Sequence, residues 1–203
     1  MNASTTEFSI TFDYRCPFAR NAHEHVLAAM EGGAPYAVRF LPFSLSQVHV
    51  AEGSPPVWED PGARDQLTAL AAGIVVRERF AGLFPAAHLA LFAARHDLSG
   101  DLRDEKVVRA ALARAGVDDT AVFAQIAAGW PFQLLRDEHE AAVVDHAVFG
   151  VPTFIAGGRA VFVRLMTRPR GNTELGRKTI DRVLDLLVEH PELNEFKHTT
   201  VPR

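Results

Sequence analysis

One side chain in this chain can act as a nucleophilic thiol. Cys16 is its single cysteine, so no intrachain disulfide and no multi-thiolate metal site can form. It stands in Tyr14-Arg15-Cys16-Pro17-Phe18-Ala19, where an alternating segment (8–14) gives way to a helical pattern. A cysteine where a strand's carboxyl end meets a helix N-terminus occupies the place where ligands bind in open α/β sheets. The unpaired N–H groups and the helix dipole there favour thiolate over thiol. That placement predicts a Cys16 pKa of roughly 3.5–7.5 against the usual value of about 8.5. Arg15 and Arg20 are candidate electrostatic helpers, although solvated charges at a helix start explain them as well. A lone cysteine is more often a small buried hydrophobe, but the strand-Cys-Pro-helix order favours a reactive thiol.

Gly150-Val151-Pro152-Thr153 is the second element. Proline at the start of a strand removes a ladder donor. Were its peptide bond cis, the Val151 N–H and C=O would be free to pair with an extended ligand. Spacing alone favours a trans proline that opens an edge strand. Other clusters read as bland. His23 lies about 10 Å along the helix from Cys16 and is a poor general base. His23 and His25 point apart at i, i+2, so no metal site is expected. Asp137-Glu-His-Glu140 reads as an exposed, dipole-favoured helix start. Trp58 and Trp130 read as packing residues, and Arg164, Arg168 and Arg170 as a solvated loop or an anion contact.

The elements that must position these residues follow from the periodicities. The run 8–14 reads as a strand, with a helix from Phe18 to Met30 whose first turn Pro17 suits. Tyr36–Phe43 reads as a second strand, completing a βαβ unit with parallel strands. From about 63 to 147 every apolar pattern has helical period, giving four or five helices. Runs at 151–155 and 160–163 around Gly157-Gly158 read as a hairpin, and 173–189 as a last amphipathic helix. The expected organisation is a core of 7–50 and 148–190, a helical insertion of 60–147, and a tail of 191–203. In the tail Leu193 and Phe196 are candidate anchors, and packing across a homodimer is left open.

Lys+Arg 21 against Asp+Glu 25 gives −4, and 48% of residues are hydrophobic. Disorder and charge-driven nucleic-acid binding are therefore not expected. No apolar run is long enough to span a bilayer and the start does not resemble a signal peptide. A cytoplasmic protein that engages neither membrane nor nucleic acid is expected.

Cys16-Pro17-Phe18-Ala19 and Phe149-Gly-Val-Pro-Thr-Phe154, around an all-helical block, resemble the DsbA family of the thioredoxin superfamily. The resemblance spans Phe8 to about Val188. It implies an α/β thioredoxin-like fold with an inserted all-helical subdomain, Cys16 as nucleophile, and Val151-Pro152-Thr153 as a cis-proline loop holding substrate or thiol. Dithiol members carry Cys-x-x-Cys; Ala19 replaces the second cysteine, so the two-cysteine oxidase cycle is closed to this chain.

Three functions fit that departure. The first is a single-cysteine thiol-disulfide oxidoreductase, or a thiol-dependent reductase or transferase. It would hold no tightly bound cofactor and would use a glutathione- or mycothiol-type co-substrate, as in the similar mycothiol-dependent nitroreductases. The second is an isomerase or transferase like 2-hydroxychromene-2-carboxylate isomerase and kappa-class glutathione transferase. Those hold glutathione thiolate with a hydroxyl residue near the helix start, and this chain lacks their Trp-Gly-(Asn/Asp)-Asp-Arg pattern. The third is a non-catalytic binding module. Small thiols or disulfides are the expected partners of the first.

Overall fold

The computed structural model describes residues 5–195 and 197–200; Phe196 and the tail's last three residues lie outside them. Strand β1 (Thr6–Phe12) leads into helix α1 (Pro17–Glu31), and β2 (Tyr36–Pro42) returns parallel to β1. Strands β3 (Thr153–Ala156) and β4 (Arg159–Phe162) form the late hairpin, and β3 joins the other edge of β1 antiparallel. The sheet order is β2-β1-β3-β4. β1 is thus central, and its carboxyl end carries the Cys16 corner.

Alternation along β1 sends Phe8, Ile10 and Phe12 to one face, where Phe12 meets His23 of α1 and Phe8 stacks on Phe154. Helix α8 (Thr173–Val188) covers the same face with Ile180, Val183, Leu184 and Leu187 buried. Each such aliphatic burial stabilises by about 1.5–3 kcal/mol. α1 and α8 approach closely because position 176 is glycine: a Cβ there would lie 2.8 Å from the His25 carbonyl oxygen.

A short helix, α2 (Leu45–Val48), follows β2. After a 3-10 segment (Pro61–Leu67), five helices fill the middle of the chain. These are α3 (Thr68–Arg79), α4 (Phe84–His96), α5 (Glu105–Arg114), α6 (Asp119–Ala127) and α7 (Trp130–His146). Asp118 caps α6 through the Ala121 N–H. α4 packs on α1, and α7 on β2, so the helical block is seated on the core at two places. Among the described residues no helix is long and apolar enough to cross a membrane.

Two expectations need correction. The strand expected from 151 begins at Thr153, since Pro152 has no N–H to give a ladder; the Val151–Pro152 bond is cis, as the resemblance implies, where spacing favours trans. Asp137–Glu140 is mid-helix, not a helix start. Glu138 is buried against Arg77 and Arg39, and His139 stacks on Phe43 with centroids 4.0 Å apart. Trp58 packs edge-on against the same His139.

Candidate functional site around Cys16

Cys16 is itself the N-cap of α1, with extended backbone dihedrals (φ −90°, ψ 118°). Its Sγ accepts from the Ala19 N–H at 3.4 Å and donates to the Val151 carbonyl, also at 3.4 Å. Two segments 135 residues apart therefore meet at one sulfur. The cap stays short because the Cys16 N–H turns back to the Asp13 carbonyl (3.0 Å).

The loop opposite is held by threonines. Thr11 Oγ1 accepts from the Thr153 N–H (2.8 Å), while the Thr153 hydroxyl donates to the Gly150 carbonyl (2.8 Å). Phe18 follows Cys16 in the first turn of α1, and Phe162 lies beside Gly150 of the loop. The rings of Phe149 and Phe162 are 5.2 Å apart, Phe149 is 67% exposed, and Arg164 lies over the Phe18 ring.

The electrostatics oppose the expected activated thiolate. Only 8% of Cys16 is exposed. Burial pushes its thiol up from the ordinary value, the Ala19 and Phe18 N–H groups pull it down by less than burial raises it, and the Asp13 carboxylate adds the smallest, upward, push. Neither arginine supplies the missing cation. Arg15 forks onto Asp13 (Nε–Oδ1 3.1 Å, Nη2–Oδ2 2.7 Å) and reaches Ser46 (2.8 Å). Arg20 is buried away from the sulfur, paired with Glu24 (2.9 Å) and Asp97. Arg168 joins that cluster through Glu24 at 2.7 Å. Burial of the sulfur and the capture of Arg15 by the buried Asp13 carboxylate together outweigh the helix start.

The family model for the DSBA-like thioredoxin domain matches residues 8–167. The chain belongs to this family. The DSBA-like chain has no significant match among curated protein sequences. Among solved structures it is similar to MdbA, a thiol-disulfide oxidoreductase from Actinomyces oris, with a TM-score of 0.62 and 17% identity. That match covers 86% of this chain and 80% of the other. It is similar to 2-hydroxychromene-2-carboxylate isomerase, with a TM-score of 0.61 and 14% identity over 94% of this chain and 100% of that one. It is also similar to the cytosolic disulfide reductase DsbM from Pseudomonas aeruginosa, solved with GSH. There the TM-score is 0.59 and the identity 15%, over 89% and 100% of the two chains. At these identities the structures establish the thioredoxin-like α/β fold with its helical insertion.

In this DSBA-like chain Pro17 opens α1, Phe18 borders the sulfur and Ala19 lends it an N–H. Val151, Pro152 and Thr153 stand opposite, as one loop. His23 does not face Cys16. It is wholly buried against His88 and the Thr11 carbonyl, and burial lowers its pKa to about 3. Sequence reasoning missed Asp13 and Phe162. Asp13, an acid two residues before an arginine at a strand end, was the available signal; the exposure of Phe162 had none.

Proposed function

We propose that this protein is a single-cysteine thiol oxidoreductase working with a low-molecular-weight thiol of the glutathione or mycothiol class. The reading is carried by one observation, the Cys16 sulfur held at 3.4 Å both from a helix N-terminal N–H and from the Val151 carbonyl. In the first step Cys16 thiolate attacks a substrate disulfide. The substrate S–S bond breaks, a mixed disulfide with Cys16 forms, and the leaving thiolate takes up a proton. With alanine at position 19, a second small thiolate must attack the mixed disulfide, releasing a disulfide product and restoring Cys16.

The resting S–H···O=C bond to Val151 favours the neutral thiol. An extended substrate pairing its own N–H with the Val151 carbonyl takes that acceptor away, and the Ala19 N–H then favours the thiolate. Substrate docking along Val151-Pro152-Thr153 and ionisation of Cys16 are coupled in this scheme. An unpaired thiol of this kind suits the reducing cytoplasm.

A second reading is favoured by the upward push on the thiol: the working sulfur belongs to glutathione, and Cys16 only donates a hydrogen bond to it, as in an isomerase or transferase. Cys16→Ser separates the two. Complete loss of thiol-coupled disulfide reduction, with the thermal midpoint unchanged, is the expected result. Retained glutathione-dependent turnover in Cys16→Ser would replace the first reading with the second, since a hydroxyl can still hold a bound thiolate.

A further inference from the structure

Tyr14, two residues ahead of the thiol, is gripped at both ends by the helical insertion. Its hydroxyl lies 2.9 Å from His88 Nδ1 on α4. His88 Nε2 lies 2.9 Å from His23 Nδ1 on α1, and His23 Nε2 lies 3.1 Å from the Thr11 carbonyl oxygen. All three side chains have 0% exposure. The protons on this chain have one consistent order. A carbonyl only accepts, so His23 carries its proton on Nε2 and accepts at Nδ1. His88 must then donate from Nε2 and accept at Nδ1, which leaves the Tyr14 hydroxyl as donor. Burial keeps both imidazoles neutral, as that order requires.

The surroundings admit little else. Phe12, Phe40, Phe84 and Phe92 ring His88 with centroids 4.6–5.5 Å away. On α3 a Cβ at Gly73 would collide with the Tyr14 hydroxyl. The backbone of Tyr14 is fastened as well, since His96 Nε2 donates to its carbonyl at 3.0 Å. Between these anchors and Cys16 lies a single residue, Arg15, in the turn closed by Cys16 N–H to Asp13 carbonyl.

We infer that Tyr14, His88 and His96 are positioning residues for Cys16: through them the helical insertion sets the aim of the sulfur at Val151 and Ala19. The inference rests on the thiol chemistry proposed above, but its test does not need turnover. The rate of Cys16 alkylation against pH, together with the thermal midpoint, is measured for the full-length protein and for Tyr14→Phe, His96→Ala, His96→Gln and Ile180→Ala.

Tyr14→Phe and His96→Ala are expected to change the neutral-pH alkylation rate by about threefold or more and to shift its pH profile. His96→Gln, which keeps a donor, is expected to restore the wild-type profile. Ile180→Ala, which loosens α8, is expected to lower the midpoint and leave the profile in place. Should Tyr14→Phe fail to fold, the half-buried His96 pair carries the test alone. Wild-type profiles in Tyr14→Phe and His96→Ala, or a shift in Ile180→Ala as large as theirs, would overturn the inference. Failure of the proposed reaction would show instead as turnover surviving Cys16→Ser.

Discussion

At Cys16 two opposing influences meet at one atom, and burial outweighs the helix start. The N–H groups of Ala19 and Phe18 favour the thiolate, but the thiol is enclosed and bonded to the Val151 carbonyl, with a smaller push from the charge of Asp13. Its alkylation rate is therefore expected to keep rising above pH 8.5, the ordinary thiol value of about that size; a plateau below pH 7 would refute this. Asp13→Asn removes one of the two upward influences and frees Arg15 from its carboxylate partner. A faster neutral-pH alkylation is the expected outcome, and an unchanged rate would show that Asp13 does not act on the sulfur.

At the scale of elements, the site depends on one close approach, of α8 to α1, that substitution can probe. At Gly176 of α8 a Cβ would lie 2.8 Å from the His25 carbonyl oxygen and 3.0 Å from the Ala29 nitrogen, both backbone atoms that cannot turn aside. Gly176→Ala should cost about 1–3 kcal/mol by forcing α8 off α1, read from the urea midpoint. A neutral result would mean the two helices have slack.

The elements themselves were largely legible, because α1 and α8 carry regular apolar stripes and β1 alternates. What was not legible lies where partners are distant or polar. The Val151-Pro152 pair reads as strand by composition, yet β3 waits for Thr153. Glu138 and His139 read as solvated but are buried by partners on β2, α3 and the Phe43 loop. His88 sits within the apolar stripe of α4, between Phe84 and Phe92, so burial could be read there, but its bond to Tyr14, 74 positions earlier, has no local signature. The thiol's upward push escaped for the same reason: its covering loop is remote in sequence.

For the molecule as a whole, several imidazoles folded inside as neutral groups make stability pH-dependent. Burial lowers His23 to about 3 and His139 to about 4, and pushes His88 well below its ordinary value. Unfolded, each binds a proton below about pH 6.5. As pH falls from 6.5 the unfolded state gains protons the folded state cannot take, so stability falls. The slope is about 1.4 kcal/mol per pH unit for each such histidine. For His139 the loss ends near pH 4 and for His23 near pH 3. Urea unfolding at pH 7, 6 and 5 should show this decline, and His139→Leu should reduce the slope between pH 6 and pH 5 by about one proton's worth. A flat profile across that range would rule it out.

The same central strand also sets an order of events. β1 pairs with β2 after a short excursion, Thr6 opposite Tyr36, but its other edge waits for Phe154 opposite Ile10. On a ribosome adding about 5–20 residues per second, the cysteine precedes its covering loop by on the order of ten seconds. The newborn chain thus carries a bare thiol until residues 151–153 arrive. Small thiols and oxidants in the cell have their freest access to Cys16 before that loop has been made.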